Sequence, residues 1–209
     1  MLENVKVNAQ SSIKFEFNKT LYFDPYLIKD EIHDADVIFI THEHYDHFDI
    51  ESINNIKNDK TIIVVPTSMI DKASILFECN EILEVNPDQE YNIYDFKINT
   101  IRAYNNDKKF HPKEKNWVGY LVNIDNISYY IMGDTDDTID ARKVKCDVLF
   151  IPIGGTYTMN SDEGAIITNY LKPKVVVPIH YKTIVGSIDD ANNFINKLDK
   201  DIEYKIYIK

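Results

Sequence analysis

The chain has 209 residues, of which 44% are hydrophobic, and this length fits one domain, residues 1–209, with a sizeable core. Its formal net charge of −11 argues against broad nucleic-acid binding, which needs clustered Lys and Arg to neutralise phosphates. No apolar run approaches the roughly 18 residues that span a bilayer, so we expect no membrane partner. The two cysteines, Cys79 and Cys146, give no disulfide framework, so we expect a cytoplasmic protein with unreactive thiols.

The first part of the chain shows apolar segments that end at polar or turn residues. Residues 12–17 alternate polar and apolar side chains, which is typical of a half-buried strand. Together these patterns predict strands at 12–17, 21–23, 37–40 and 61–65, and helices at 50–57 and 68–77.

The remaining sequence continues to alternate between strands and helices. Asp125-Asn126 is typical of a hairpin turn, and Asn160 with Glu163 predicts a capping box at a helix start. We predict strands at 82–85, 96–101, 118–124, 127–132, 148–153, 175–179 and 204–208, and helices at 161–170 and 189–198. Two strand-rich halves that each carry helices predict an α/β fold with two mixed sheets packed face to face and helices outside.

Three of the six histidines fall within one short segment, from His42 to His47. If the preceding strand conformation persists, His42 and His44 point to the same face, because strand side chains alternate. Asp46 and His47 follow where the chain must turn. Four potential ligands on one short arch can serve two neighbouring cations, so the segment predicts a metal site.

Further ligand candidates stand at the ends of predicted strands, where binding sites are commonly built. Asp24 follows the second strand, and His180 follows the strand at 175–179. Asp134 comes directly after Gly133, which permits a tight turn. A carboxylate in that position can bridge two cations with its two oxygens.

These motifs resemble those of the metallo-β-lactamase superfamily. The motif His-x-His-x-Asp-His is matched in full from His42 to His47, and the early Asp, the bridging Asp and the last His match Asp24, Asp134 and His180. The resemblance covers roughly residues 10 to 182. It implies a four-layer αββα sandwich with a dinuclear metal site at one edge of the sheets. Within the superfamily, the chain looks most similar to the small, insertion-free branch of metal-dependent hydrolases that includes ascorbate-phosphate lactonase-like proteins.

One position departs from the superfamily pattern. A further histidine usually follows a strand in the middle of the chain, whereas this sequence has Asn105 there. His111 lies six residues on and is the alternative ligand; water or no ligand is a third alternative. A carbonyl oxygen from Asn105 would shift the metal preference from zinc towards manganese.

The resemblance also implies a division of the ligands between two divalent cations, zinc or manganese. Asp24 would accept a hydrogen bond from a ligand histidine and so orient it. A metal-bound hydroxide would attack the substrate, and Asp46 would carry a proton to the leaving group. The first cation would be held by His42, His44 and one of the open alternatives, the second by Asp46, His47 and His180, with Asp134 bridging.

The function that follows is hydrolysis of a small ester-like bond, either a lactone or a phosphodiester. Four lysines between residues 108 and 115 form a local basic segment that would suit an anionic small molecule, with Tyr157, Lys182 and Trp117 as candidate substrate contacts. The alternative is a degenerate member of the fold that binds a metal or ligand without turnover. The sequence leaves a homo-oligomer open.

Overall fold

The computed structural model describes residues 1–77 and 80–208, and over these residues the chain forms two mixed sheets and four α-helices. The first sheet contains, in spatial order, β1 (Val5–Val7), β2 (Ile13–Glu16), β3 (Thr20–Phe23), β4 (Val37–Phe39), β5 (Ile62–Pro66) and β6 (Glu81–Val85). The second contains β7 (Glu90–Ile93), β8 (Phe96–Arg102), β9 (Val118–Ile124), β10 (Ile127–Ile131), β11 (Val148–Pro152), β12 (Val175–Ile179) and β13 (Glu203–Tyr204), also in sequence order. The helices are α1 (Ile50–Ile56), α2 (Ile70–Leu76), α3 (Ser161–Leu171) and α4 (Ile188–Ile195).

Three hydrophobic clusters separate the layers of the fold. Successive strand side chains point to opposite faces, so Phe39 packs in the cluster between the two sheets, whereas Ile38 packs outward with Ile53 of α1. On the other sheet, Phe150 faces the central cluster, and a separate outer cluster contains Phe194 of α4. The predicted arrangement of two sheets face to face with helices outside is confirmed.

The strand directions bring several chain turns to one edge of the sandwich. β3 and β4 are parallel, as are β10, β11 and β12, and β8 runs in the same direction as β10 because both are antiparallel to β9. The two sheets are joined at this edge: the Tyr120 hydroxyl donates to the Ile40 carbonyl (2.7 Å), and the His180 amide donates to the Gln10 carbonyl (2.9 Å). The segments that follow β3, β4, β8, β10 and β12 therefore meet.

Most of the predicted elements are confirmed, with small shifts at their ends. The hairpin turn at Asp125-Asn126 has positive φ at both residues, as a type I′ turn requires, and the capping box of Asn160 with Glu163 is present at α3. The short strands β1 and β7 were not predicted, because three or four residues give too little alternation to recognise.

The predicted last strand, 204–208, is wrong, since the final strand is Glu203–Tyr204 alone. The Lys205 amide still donates to the Val176 carbonyl (3.0 Å). In a parallel ladder the next bond would be donated by residue 178, which is a proline without an N–H, so pairing stops there. The following residues leave the sheet, and the Ile208 carbonyl accepts the hydroxyl of Tyr181 (2.6 Å).

The predictions on thiols and membrane are tested only in part. Burial raises the pKa of the Cys146 thiol to about 12, so this side chain stays protonated and unreactive near neutral pH. Cys79 lies outside the described residues. Over the residues that are described, no helix has both the length and the apolar character needed to cross a bilayer.

Candidate metal centre

The segment after β4 forms a tight turn that gathers several ligand-type side chains. The His47 and Phe48 amides both donate to the carbonyl of His44, at 3.0 and 2.8 Å, which folds the chain back on itself. His42 and His47 are fully buried by this turn, whereas His44 is half-buried. The three imidazoles therefore converge on one volume at the sheet edge.

Two further turns deliver a carboxylate and a histidine to the same volume. After β10, Gly133 has φ +66°, and a Cβ atom there would lie 3.0 Å from the Cβ of Thr41, so this position requires glycine. The turn points Asp134 into the site. His180 directly follows β12 with φ 55°, and its amide is held by the Gln10 carbonyl.

The first group of ligand-type side chains consists of His42, His44 and His111. Their nitrogen atoms lie within 4.8 Å of one another, close enough to hold one metal ion. Nε2 of His42 is 3.0 Å from Nδ1 of His44. The structure thus brings together two of the sequence-predicted ligands with one of the two open alternatives.

The second group consists of Asp46, His47 and His180, whose ligand atoms also lie within 4.8 Å of one another. Oδ2 of Asp46 is 3.4 Å from Nε2 of His47 and 3.5 Å from Nε2 of His180. This set is the one assigned to the second cation from the sequence.

Asp134 lies between the two groups and is almost fully buried. Its Oδ2 is 3.2 Å from Nε2 of His111 in the first group and 3.0 Å from Nε2 of His180 in the second, and its Oδ1 is 3.3 Å from Nε2 of His47. One carboxylate therefore faces both groups, which is the geometry that a bridging ligand needs.

Several buried atoms at this centre make no hydrogen bond: Nε2 of His47, Nε2 of His111 and Oδ1 of Asp134. Buried polar atoms without partners are costly and rare in folded proteins. Two belong to residues of the groups and the third to Asp134 between them, and all three are common metal donors. Divalent cations would satisfy them, so the residues present fit a metal centre.

The two groups differ in their protonation without a metal. Burial, reinforced by nearby His47, holds the pKa of His42 well below its ordinary value, and burial likewise lowers that of His44. These imidazoles are neutral at pH 7, as ligands must be.

Around the second group, burial again disfavours charge, but the Asp134 carboxylate outweighs it. That carboxylate raises the pKa of His47 well above its ordinary value and that of His180 to about 9. Protons therefore supply the positive charge that the carboxylates demand, and a bound cation would replace them.

Asp24 orients His47 from behind. The fully buried carboxylate accepts hydrogen bonds from the Thr41 amide (2.8 Å) and the Thr41 hydroxyl (2.7 Å), and it lies 2.7 Å from Nδ1 of His47. With the proton of a neutral His47 held on Nδ1, its Nε2 lone pair faces the site. This is the contact expected from the sequence.

Gln10 is a part of the site that the sequence analysis missed. Its side chain is fully buried, its Nε2 donates to Oδ2 of Asp46 (3.0 Å), and its carbonyl holds the His180 amide. Gln10 lies in the loop between β1 and β2, without a strand end or a motif to mark it. Only the packing of the two sheets brings it to the site.

Asn105 has a different place from that of a metal ligand. Its Oδ1 accepts the His111 amide (3.1 Å) and lies 3.0 Å from Nδ1 of His111, while its Nδ2 donates to the Tyr157 carbonyl (3.0 Å) and to Asp136 (3.2 Å). Oδ1 is thus engaged by the outer side of His111, and Nδ2 by Tyr157 and Asp136. This side chain orients His111, whose Nε2 faces Asp134, and the arrangement favours His111 over Asn105 as the predicted ligand.

A cavity of about 230 Å³ opens over the two groups. Tyr157, which the sequence analysis predicted as a substrate contact, lies on its wall. The cavity is lined by His44, Tyr45, Asp46, Phe110, Asp134, Tyr157, His180 and Ile184.

The other two candidate substrate contacts lie elsewhere. Trp117 is buried behind the first group, with its ring 5.0 Å from the rings of both His42 and His44. Lys182 is exposed and lies outside the cavity wall. Trp117 packs against ligand-type histidines, and Lys182 has a left-handed backbone with φ 71°, so neither side chain lines the cavity. Their role as substrate contacts stays a prediction.

Comparison with known proteins shows a match to one protein family over most of the chain. Residues 9–180 match the family model described as "Beta-lactamase superfamily domain". A protein of Thermococcus onnurineus named "UPF0173 metal-dependent hydrolase" is 31% identical, with 91% of this chain and 90% of the relative covered. A protein of the same name from Geobacillus is 26% identical, with 91% of each chain covered.

Solved structures share the architecture at lower identity. A proposed metal-dependent hydrolase from Parabacteroides distasonis has a TM-score of 0.83 at 24% identity, covering 98% of this chain and 93% of its own. A metallo hydrolase from Ignicoccus hospitalis has a TM-score of 0.77 at 20% identity, covering 97% and 93%. With the motif residues gathered at one sheet edge and the family model matched from residue 9 to residue 180, the chain belongs to the metallo-β-lactamase superfamily.

Proposed function

We propose that the protein is a metal-dependent hydrolase that uses two divalent cations to cleave a small ester-like bond. The observation that carries this proposal is the pair of adjacent ligand groups with the Asp134 carboxylate facing both of them. His42, His44 and His111 would hold one cation, Asp46, His47 and His180 the other, and Asp134 would bridge them.

Bound divalent cations lower the pKa of water and polarise a carbonyl or phosphoryl oxygen. The chain's own contribution is orientation and proton transfer. Asp46 lines the cavity and is fixed by Gln10, and although burial opposes its charge, nearby His47 and a hydrogen bond from His180 hold its pKa well below its usual range. The ionised carboxylate can accept the proton of an attacking water and pass it to the leaving group.

Zinc is the cation that we propose for both positions. Five imidazoles and two carboxylates make up the donor set, and imidazole ligands suit zinc, whereas manganese prefers oxygen. The case for manganese depended on an oxygen ligand from Asn105, whereas the third side chain of the first group is the imidazole of His111.

The alternative proposal, a degenerate fold without turnover, depended on the histidine absent from position 105. The place of His111 removes that reason for it. Elemental analysis of the purified protein, followed by assays on lactones and on a generic phosphodiester, separates the two proposals. Less than one tightly held cation per chain, with no zinc- or manganese-dependent turnover, would reject the hydrolase.

Variants test the ligand assignment directly. We expect His47→Ala and Asp134→Ala each to abolish turnover while unfolding remains cooperative, because each removes a donor from the centre. His33→Ala is the matched control, since the His33 side chain is exposed and its one described hydrogen bond is to the Lys57 carbonyl (2.8 Å). Retained activity in either site variant would refute the assignment.

A further inference from the structure

The rim of the cavity over the two ligand groups is aromatic. Tyr45 and Phe110 expose 65% and 45% of their surface beside the site, and Tyr157 is half-buried between them and the ligands. Phe110 and Tyr157 pack edge to face, with ring centroids 4.7 Å apart and an interplanar angle of 89°. Exposed aromatic groups clustered at a concave site mark a surface that binds apolar groups.

This rim is fixed to the metal centre through the backbone. Phe110 directly precedes His111, and the Tyr157 carbonyl accepts a hydrogen bond from Asn105, the residue that also orients His111. The two rings therefore stand at a set distance from the first ligand group. If a flat substrate group packs against these rings, an ester bond attached to it would lie over the ligand-type side chains of the centre.

Apart from the ligand residues, the described wall of the cavity carries no charged side chain, and it has no lysine or arginine. The basic segment between residues 108 and 115 does not change this balance. Lys108 is paired with Asp136 at 2.6 Å, and Lys115 with Glu43 at 2.8 Å. Lys108 and Lys115 are therefore engaged by protein carboxylates, and none of the four lysines of this segment lines the cavity, so the segment does not favour an anionic substrate.

The size of the cavity limits the bound group. About 230 Å³ is below the roughly 300–1,000 Å³ typical of sites for drug-sized ligands. One ring with a short acyl group suits this space, whereas a polymer or a large acyl chain would extend beyond it.

We propose that the substrate is an uncharged ester or lactone with a single aromatic or similarly flat apolar group, bound against Phe110 and Tyr157. This inference rests on the proposed hydrolase function and chooses between the two ester-like bonds that it allows. A phosphodiester with two ring substituents is disfavoured by the size of the cavity, and a negative charge on the ring side of the substrate is disfavoured because the described wall has no lysine or arginine beside the rings.

Matched substrates test the proposal with the zinc-loaded protein. Phenyl acetate and 4-acetoxybenzoate contain the same ester bond and differ by one negative charge, and methyl acetate lacks the ring. We expect kcat/KM for phenyl acetate to exceed both others by about tenfold or more. Equal or faster turnover of 4-acetoxybenzoate, or of bis(4-nitrophenyl) phosphate, would overturn the proposal while leaving the hydrolase function intact.

Rim variants supply a second arm with a readout that does not depend on turnover. Binding of acetanilide, an uncharged aromatic amide that resists hydrolysis, is followed by NMR titration. We expect Phe110→Ala and Tyr157→Ala to weaken acetanilide binding several-fold and to lower kcat/KM for phenyl acetate but not for methyl acetate. Tyr204→Ala, which removes an exposed tyrosine from the far edge strand β13, is the control and should change neither.

The outcomes separate this inference from the function on which it rests. Unchanged acetanilide binding in both rim variants would overturn the inference even if esters are hydrolysed. Rim-dependent binding without turnover of any ester would support the rim as an aromatic-binding surface and reject the hydrolase.

Discussion

The contact between Asp24 and His47 leads us to predict an effect on metal affinity. A purely structural role of Asp24 would not produce this effect. In the wild-type chain, the carboxylate accepts from Nδ1 of His47 at 2.7 Å and from both polar groups of Thr41. Asp24→Asn keeps the shape of the side chain and one carbonyl oxygen, which can still accept the Thr41 amide. The amide NH₂ then faces Nδ1 of His47.

The consequence is a change of tautomer. An NH₂ group can satisfy Nδ1 only by donating to it, and this places the proton of the neutral imidazole on Nε2, the atom that faces the second ligand group. A protonated Nε2 cannot bind a cation. Loss of such an orienting partner typically costs 10–100-fold in metal affinity, which corresponds to about 1.4–2.7 kcal/mol.

The assay is a competition titration with a chromophoric zinc chelator at fixed pH. We expect Asp24→Asn to lose about 10–100-fold in affinity for one of two cations, while its thermal unfolding in excess chelator shifts much less than that of a variant with a disrupted core. Asp59→Asn, at an exposed turn, is the matched control. Two zinc ions bound by Asp24→Asn with wild-type affinity would refute the tautomer argument.

Three other predictions concern the same centre. His111→Ala should remove one tightly bound cation, and Asn105→Ala should weaken the binding of that cation by about tenfold, because His111 loses its orientation. If mass spectrometry finds as many zinc ions per chain in His111→Ala as in the wild type, His111 is not a ligand. In metal-free protein, burial opposes protonation of His180, but the nearby Asp134 carboxylate raises the pKa of this histidine from 6.5 to about 9. The stability that the bound proton provides is therefore complete below about pH 6.5 and is lost as the pH rises through about 9. Denaturant unfolding in chelator at pH 6.5 and pH 9.5 measures this loss, and a stability that increases over the same range would contradict it. Zinc at 100 times its Kd should stabilise the protein by about 2.7 kcal/mol and raise its Tm by about 5–11 °C, whereas a Tm that chelator leaves unchanged would argue against a metal centre.

The layer architecture was predictable because it depends on local patterns. Alternation along residues such as Ile38, Phe39 and Ile40 assigns one face of a strand to the central core and the other to a helix. The last strand could not be placed in the same way. Its end is decided by Pro178 on the neighbouring strand, a residue more than twenty positions earlier in the chain.

The sequence by itself determined that His42, His44, Asp46 and His47 lie together, because they are adjacent on one turn, and that Asp134 and His180 end strands. It did not decide whether Asn105 or His111 is the third ligand of the first cation, since both lie in a loop whose path no local rule defines. Only the tertiary structure decided which of them faces the centre, because Asn105 is held by hydrogen bonds to Asp136 and Tyr157, distant in the chain, and in turn positions His111. The same long-range packing brought Gln10 to Asp46 and withdrew Trp117 from the cavity wall, which side-chain type and spacing cannot encode.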